Sequence, residues 1–399
     1  MDLSYGAENE AFRQEVERFL AQAWRPQEAK GPDGKAYVQA FHRQAVEAGH
    51  IYRGVPRRYG GSEQPVDVIK AQIIRESFTA ARAPMESPGN GVTMLVPTLL
   101  DKGSDWQKEH FIRPTIEGDI AWAQGYSEPG SGSDLASVRT RAELVGDQWT
   151  INGSKIWTSQ GDRCRYMFAL VRTEPQAAKH AGISYLLLDL KQPGVTVRPL
   201  RQMTGEAGFS EIFFDDAKTP ADWIVGRRGE GWSVSRTTLK HERASIGTAD
   251  RGLELVSKLV ELARKAQRFG RPAIEDREIR QDLAALEGWV LAQKYSAFRQ
   301  FSLAAAGRDA GLLGLTNKLL TTDVGHEAAR LAQELIGPLA MIQPAAPGAG
   351  PRGEEKWLDQ IMGSLGVSIA GGASNIQRNI IAERGLGLPR DLALSGTEG

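Results

Sequence analysis

Trp149-Thr150-Ile151-Asn152-Gly153-Ser154-Lys155-Ile156-Trp157-Thr158-Ser159 is the stretch on which the fold reading turns. Asn152-Gly153 lies between β-branched and aromatic residues, and Asn-Gly tolerates positive φ at both central positions of a type I′ turn. The pattern therefore predicts two short strands, 149–151 and 155–157, closed into a hairpin. Toward the C-terminus, 166–171, 183–190, 195–200 and 211–214 add four β-type segments at regular spacing, which predicts a small barrel or sandwich. Both flanks read as helix. Phe12, Val16, Phe19 and Leu20 share helical spacing, 66–78 and 93–100 follow, and Gly60-Gly61 and Pro88-Gly89 punctuate them. From Trp232 onward helical periodicity returns, with breaks at Gly270-Arg271-Pro272, 311–314 and 343–351, as for a bundle of three or four long helices. The expected class is α+β, with a helical domain over 1–121, a β domain over 122–231 and a helical bundle over 232–399.

Composition excludes several functions. Lys and Arg number 49 and Asp and Glu number 49, so no net basic field invites nucleic acid. Scattered charges leave no apolar run long enough to span a membrane. Met1-Asp2-Leu3-Ser4 has neither the basic start nor the apolar stretch of a leader, and the lone Cys164 has no disulfide partner in the chain, which points to a reducing cytoplasmic setting. His42, His50, His110, His180, His241 and His326 show no metal-ligand spacing, so no metal is expected. No Gly-x-Ser-x-Gly elbow argues for a hydrolase.

Gly125-Tyr126-Ser127-Glu128-Pro129-Gly130-Ser131-Gly132-Ser133-Asp134 packs glycines and hydroxyls into one loop, which exposes backbone N–H groups and admits a flat polar ligand; an ordinary turn has similar composition. Trp157 ends a strand with two hydroxyls after it, a place where an aromatic serves a core more often than a cofactor platform.

Taken together, the two segments resemble the acyl-CoA dehydrogenase family, whose signatures are a Thr-Glu-Pro-x-x-Gly-Ser-Asp loop and an Asn-Gly-x-Lys-x-Trp-Ile-Thr strand. The resemblance extends through Val225-Gly226, Gly231-Trp232, Ile376-Gln377-Arg378-Asn379 and Gly387-Leu388-Pro389. It implies FAD bound between the β domain and the bundle. Gln124, Tyr126 and Ser127 would meet the flavin edge, Trp157 would lie beside the ring and Ser159 would sit at N5, with Gly132 and Thr158 among the cofactor contacts and Ser133 toward the thioester. The implied reaction takes the α-proton of an acyl-CoA onto a carboxylate and the β-hydride onto the flavin, with electron-transfer flavoprotein as the acceptor.

The family's usual base falls on Gly371, whose backbone N–H remains available to a thioester carbonyl. A subset of the family carries the base as Glu-Arg on the first bundle helix, here Glu242-Arg243, which puts Arg243 beside the substrate. Leu239, Glu242, Ile246, Ala249, Leu253, Val256, Val260 and Ala263 keep +3/+4 spacing, so Glu242 falls on the apolar stripe. Burial there raises a carboxyl toward a useful base, or else Glu242 pairs with His241, Arg243 or another helix's cation. Two features of the family are missing. Ala266 stands where an Arg reaches the neighbouring subunit's FAD, with Arg264 and Arg268 as stand-ins, and of a Gln-x-x-Gly-Gly-x-Gly turn only Gln333 and Gly337 remain. This pattern resembles the two-component dehydrogenases of steroid side chains, whose unlike subunits share FAD sites; a homo- or hetero-oligomer, with a tetramer favoured, follows. A flavin oxidase or monooxygenase on the same fold, and a partner subunit completing another chain's FAD site, are the competing classes.

Overall fold

A computed structural model describes residues 5–245, 249–308, 310–342, 353 and 356–389, with the side chains of 242–250 outside the description. By compactness the chain forms two units, one of Met1–Leu200 with Gly208–His241 and one of Arg201–Ala207 with Glu242–Gly399.

The first unit opens with helices α1 (Ala7–Ala23), α2 (Gly34–Glu47), α3 (Val68–Ala81), α4 (Val96–Lys102) and α5 (Asp105–Ile116). The spacing read from the sequence holds in α1, where Val16 and Leu20 are buried and Phe12 and Phe19 pack against the same core. Local chemistry sets the starts. Asp67 accepts from the amides of Ile69 and Lys70 at 3.0 and 2.9 Å, and Ser104 forms a capping box with Gln107. Gln107 is itself buried, and its amide donates to the carbonyls of Asp222 and Ile224, both at 2.8 Å, which ties α5 to the segment after the sheet.

The sheet has seven strands: β1 (Trp122–Gly125), β2 (Arg141–Val145), β3 (Gln148–Ser159), β4 (Tyr166–Arg172), β5 (Ile183–Asp189), β6 (Val195–Leu200) and β7 (Phe209–Pro220). β3 runs antiparallel between β2 and β7, β7 pairs β6, and β4 lies between β5 and a parallel β1. The four segments expected after β3 are strands.

The expected hairpin is not there. Asn152-Gly153 sits inside the twelve-residue β3, and the two-residue turn is Gly146-Asp147, which joins β2 to β3 with Val145 opposite Gln148. Gly146 takes φ +63° while Asp147 does not join it at positive φ, the requirement of a type II′ turn. Asn-Gly serves a bulge instead. The Asn152 side chain donates to Asp216 Oδ1 at 2.9 Å and accepts from the Asp216 amide at 3.0 Å, stabilising Asp216 at φ +52°. Gly153 has φ +140° and lies so near β2's approach that a Cβ would fall 2.8 Å from the Thr140 Cα.

β4 is buried on both faces, and its alternation divides two cores. Phe168 and Leu170 join the core of the N-terminal helices with Tyr126, Tyr185 and Val234. Met167, Ala169 and Val171 face the inner side of the curled sheet with Trp149, Leu186, Leu188 and Phe214. The sheet's outer face is therefore covered by the helices that precede it in sequence, and its positions are fixed from both sides.

The division between units falls inside α6 (Gly231–Ser245), after His241. The second unit contains α7 (Ala249–Lys265), a short ribbon of β8 (Gln267–Arg268) and β9 (Arg271–Pro272), α8 (Arg277–Ala305), α9 (Leu312–Ile336), α10 (Trp357–Val367) and α11 (Ser374–Ile380). Leu259, Leu262, Ala263, Leu286, Val290, Ala328 and Leu331 form its core. The helix expected to run unbroken from Trp232 past Ala263 is described as α6 and α7; Ile246 to Thr248 lie outside the described residues, as does the break at 343–351 apart from its flanks.

Candidate active site

After β1 the chain turns away at Gly125, and Tyr126-Ser127-Glu128 runs beside β3. Three bonds tie them. The Ile156 amide donates to the Ser127 carbonyl at 2.9 Å, and the Lys155 ammonium donates to the Tyr126 carbonyl at 3.2 Å and to Glu128 Oε1 at 2.7 Å. Lys155 is fully buried and Glu128 nearly so. The Glu128 carboxylate also accepts from the amides of Arg139 at 2.6 Å and Thr140 at 2.9 Å. Burial works to raise the Glu128 carboxyl, but the Lys155 charge and these donors hold it below its ordinary value. Burial pushes the Lys155 ammonium down to about 8, against the pull of Glu128. The two motifs found separately in the sequence are thus joined by one buried ion pair. Its members stood inside the quoted motifs, Glu128 in one and Lys155 in the other; nothing in their spacing along the chain pairs them.

Trp157 occupies a second bulge. Lys155 pairs with Ile212 and Thr158 with Ser210, so Ile156 and Trp157 together oppose Glu211, and Trp157 takes φ +60°. A bulky residue in the left-handed region costs on the order of 1–3 kcal/mol and persists where its surroundings over-determine it. The indole is 59% exposed, with Phe209 edge-on at 6.0 Å. Trp157 is therefore not a core residue of its unit. Ser159 is exposed like Trp157, whereas Thr158 is fully buried with its hydroxyl unpartnered, so the only group Thr158 can present on the Trp157 side is backbone.

The remaining loop is shaped by its own polar groups. Glu128 and Ser131 exchange backbone bonds at 2.9 and 3.0 Å, the Ser131 hydroxyl donates to the Asp134 carbonyl at 2.6 Å, and Asp134 is held by Lys179 at 2.7 Å and by Ser137. Those donors, Lys179 first, keep the Asp134 carboxyl low. Gly132 and Ser133 stand exposed at the tip, Gln124 and Ser127 are half-buried, and Tyr126 is buried against Phe168 and Tyr185. Eight of the sequence-derived positions, Gln124, Tyr126, Ser127, Gly132, Ser133, Trp157, Thr158 and Ser159, thus belong to one unit and two adjoining segments.

The other positions lie in the second unit. Glu242 and Arg243 are in the last turn of α6, whose Val234, Ser235 and Thr238 are buried; the side chains of Glu242 and Arg243 lie outside the described residues. Gly371 lies between α10 and α11 at φ +65°, and its carbonyl accepts from the Gln377 amide at 3.2 Å. A residue the sequence reading passed over, Lys318 on α9, is buried and donates to the Ser368 carbonyl at 3.3 Å, and burial lowers its ammonium.

The eroded features are also explicit. Ala266 is buried in the bundle core. Arg268 is engaged by Glu278 at 2.7 Å, Asp276 at 3.6 Å and Glu334, so it is committed within its own unit, while Arg264 is exposed. Gly337 closes α9 and opens a 3-10 turn, Gly337–Met341, where Leu339 and Met341 are exposed and a Gly-rich phosphate turn would have offered amides.

Among described residues no helix is long and apolar enough to cross a membrane. Residues 6–119, 123–217 and 229–386 match the N-terminal, middle and C-terminal domains of acyl-CoA dehydrogenases. The chain is 38% identical to acyl-CoA dehydrogenase IpdE1 of Mycobacterium tuberculosis over 96% of its length and 98% of the relative's. Among solved structures it resembles the ChsE4-ChsE5 complex from Mycobacterium tuberculosis, with TM-score 0.76, 28% identity and coverage of 98% and 100% of the two chains. It also resembles the Tcur3481-Tcur3483 steroid ACAD, with TM-score 0.77, 26% identity and the same coverage. On sequence over its whole length and on fold, this chain belongs to the acyl-CoA dehydrogenase family of FAD-dependent oxidoreductases.

Proposed function

We propose that the chain converts an acyl-CoA thioester to its trans-2-enoyl-CoA with Glu242 as the base. FAD, when bound, accepts the β-hydride; the protein's part is to hold the ring, polarise the thioester and take the α-proton. The observation that carries the reading is the tie between Tyr126-Ser127-Glu128 and Lys155-Ile156, which sets an exposed Trp157 next to a loop of backbone donors. A neutral isoalloxazine wants such a surface, an aromatic to lie against and directed donors at its edge. Ser127 and the loop amides suit the edge, Ser159 suits N5, and Gln124 and Tyr126 support them. Gly132, Ser133 and the backbone of Thr158 complete the contacts. Glu242 removes the α-proton, Arg243 accompanies it, and the Gly371 N–H donates to the thioester oxygen, where enolisation builds charge.

We assign the chain to a cytoplasmic hetero-oligomer that passes electrons to an electron-transfer flavoprotein, and its acyl group to a steroid side chain. Ala266, the committed Arg268 and the apolar 337–341 turn support the sharing of FAD with an unlike subunit, as do two solved relatives named as pairs, ChsE4-ChsE5 and Tcur3481-Tcur3483. Anaerobic titration of the flavin-loaded assembly with straight, branched and polycyclic acyl-CoAs tests the substrate: polycyclic thioesters should bleach the flavin band, and bleaching by straight chains alone would remove the steroid assignment. Rapid reoxidation by O₂ would favour an oxidase. One tightly held FAD per chain in a homotetramer would remove the heteromer.

A further inference from the structure

We propose that Lys155 is a positioning residue for the flavin, fixing the direction of the Ser127 amide and the seat of the Trp157 bulge. This rests on the reading of Ser127 and Trp157 as flavin contacts. In a planar trans peptide the carbonyl of one residue and the N–H of the next point to opposite sides. The Lys155 ammonium draws the Tyr126 carbonyl toward β3 at 3.2 Å, so the Ser127 N–H is turned away from β3. The next peptide is fixed in the same way. Its Ser127 carbonyl accepts from Ile156 at 2.9 Å, and its Glu128 N–H goes to the Ser131 carbonyl at 2.9 Å. Two successive peptides of the loop therefore have one orientation each, and Lys155 is the only side chain among their described partners. It stands two residues before Trp157, on the strand segment that enters the bulge.

Energetics separate positioning from mere stability. Burying a carboxylate and an ammonium together seldom gains over a well-packed neutral pair, whereas removing one partner strands a buried charge. Glu128 already satisfies two backbone amides, at 2.6 and 2.9 Å, which a neutral amide oxygen can also do in part. What a neutral pair cannot replace is the ammonium's simultaneous reach to Glu128 and the Tyr126 carbonyl. Arg172 is the other charge acting on Lys155, and its own hydrogen bonds go to the carbonyls of Ala136, Val138 and Lys179.

The test compares the full-length chain, with its partner subunit if flavin loading requires one, as wild type, Lys155→Met, Lys155→Met/Glu128→Gln and Trp157→Ala. Three readouts are taken: melting of the FAD-free protein, FAD affinity by fluorescence quenching, and the position of the bound flavin's visible band. Lys155→Met should lower both melting temperature and affinity. In the double variant the melting temperature should return to near wild type while FAD affinity stays at least tenfold weaker and the band remains shifted. Recovery of affinity and band together with melting would overturn the proposal, leaving an ion pair of purely structural value. Wild-type affinity in Trp157→Ala would instead overturn the flavin reading of the loop, and the Lys155 proposal with it. Loss in Trp157→Ala alone would remove only the proposal.

Discussion

The sheet side and the bundle side of this protein use charge in opposite ways. In the sheet unit two charged members of the motifs, Glu128 and Lys155, are buried and paired with each other, and the groups left outward are a Trp, hydroxyls, backbone and Asp134, which pairs with Lys179 at the surface. In the bundle unit two arginines sit in carboxylate clusters: half-buried Arg268 with Asp276, Glu278 and Glu334, and exposed Arg330 with Asp282, Glu327 and Glu334. The positions where the family places charge, 266 and 371, hold Ala and Gly, and Phe269 and Met341 are more than four-fifths exposed. Buried pairing fixes the sheet-unit loop from within its own unit. In the bundle, clusters of charge stand beside small residues at 266 and 371, so changes in the two units should differ in kind.

The largest expected effect is on the bundle side, at the base. Glu242→Gln keeps shape and removes the carboxylate, so the loaded enzyme should stay yellow and bind acyl-CoA yet reduce its flavin about 10²–10⁴-fold more slowly. Stopped-flow reduction measures this, and a near wild-type rate would end the assignment. Moving the carboxylate to the family's usual place, by adding Gly371→Glu, should restore little, because Gly371 has φ +65° and any side chain there is strained.

Trp157→Ala comes next and belongs to the sheet side. Because the indole is largely exposed, truncation should change stability by no more than about 1 kcal/mol. If the ring is the platform, loss of stacking worth about 1–3 kcal/mol weakens FAD roughly 5–150-fold. FAD titration beside thermal melting separates the two. A mutant that keeps its flavin but melts much earlier would make Trp157 a packing residue after all.

These contrasts show what the sequence could carry. Strand and helix identity was legible because apolar patterning is local: Val16 and Leu20 in α1 and the apolar run of β4 needed no distant partner. Asn152-Gly153 misled because positive φ suits a bulge as well as a turn, and the choice was made by Asp216, sixty-four residues away. Gly146-Asp147 carried the weaker turn signal yet forms the turn. Trp157's exposure was not legible, since its left-handed bulge is set by register against β7. Nor could spacing reveal that Lys155 meets Glu128, or that Arg268, read as a stand-in for the missing Arg, is consumed by three carboxylates.

The smallest expected effect concerns acid, and it again divides the two units. His42 and His50 are buried among the N-terminal helices, and burial lowers both below the ordinary 6.5. His42 Nε2 lies 3.2 Å from the Pro84 carbonyl, while Nδ1 of both rings is buried with no partner, so a second proton would put a charge where no acceptor waits. Because the folded values lie below the unfolded one, the unfolded chain binds more protons as pH falls through 6.5, and stability is lost in that direction. The bundle's one histidine, His326, is exposed. Hydrogen exchange taken from about pH 7.5 to about pH 5, corrected for the intrinsic rate, should therefore show α1 and α2 losing protection before α8 and α9. His50→Phe, which keeps an aromatic against Phe19 at the present 4.9 Å contact, should remove part of that loss. Equal loss in both units, or a profile unchanged by His50→Phe, would show that acid acts through surface charge rather than through these buried rings.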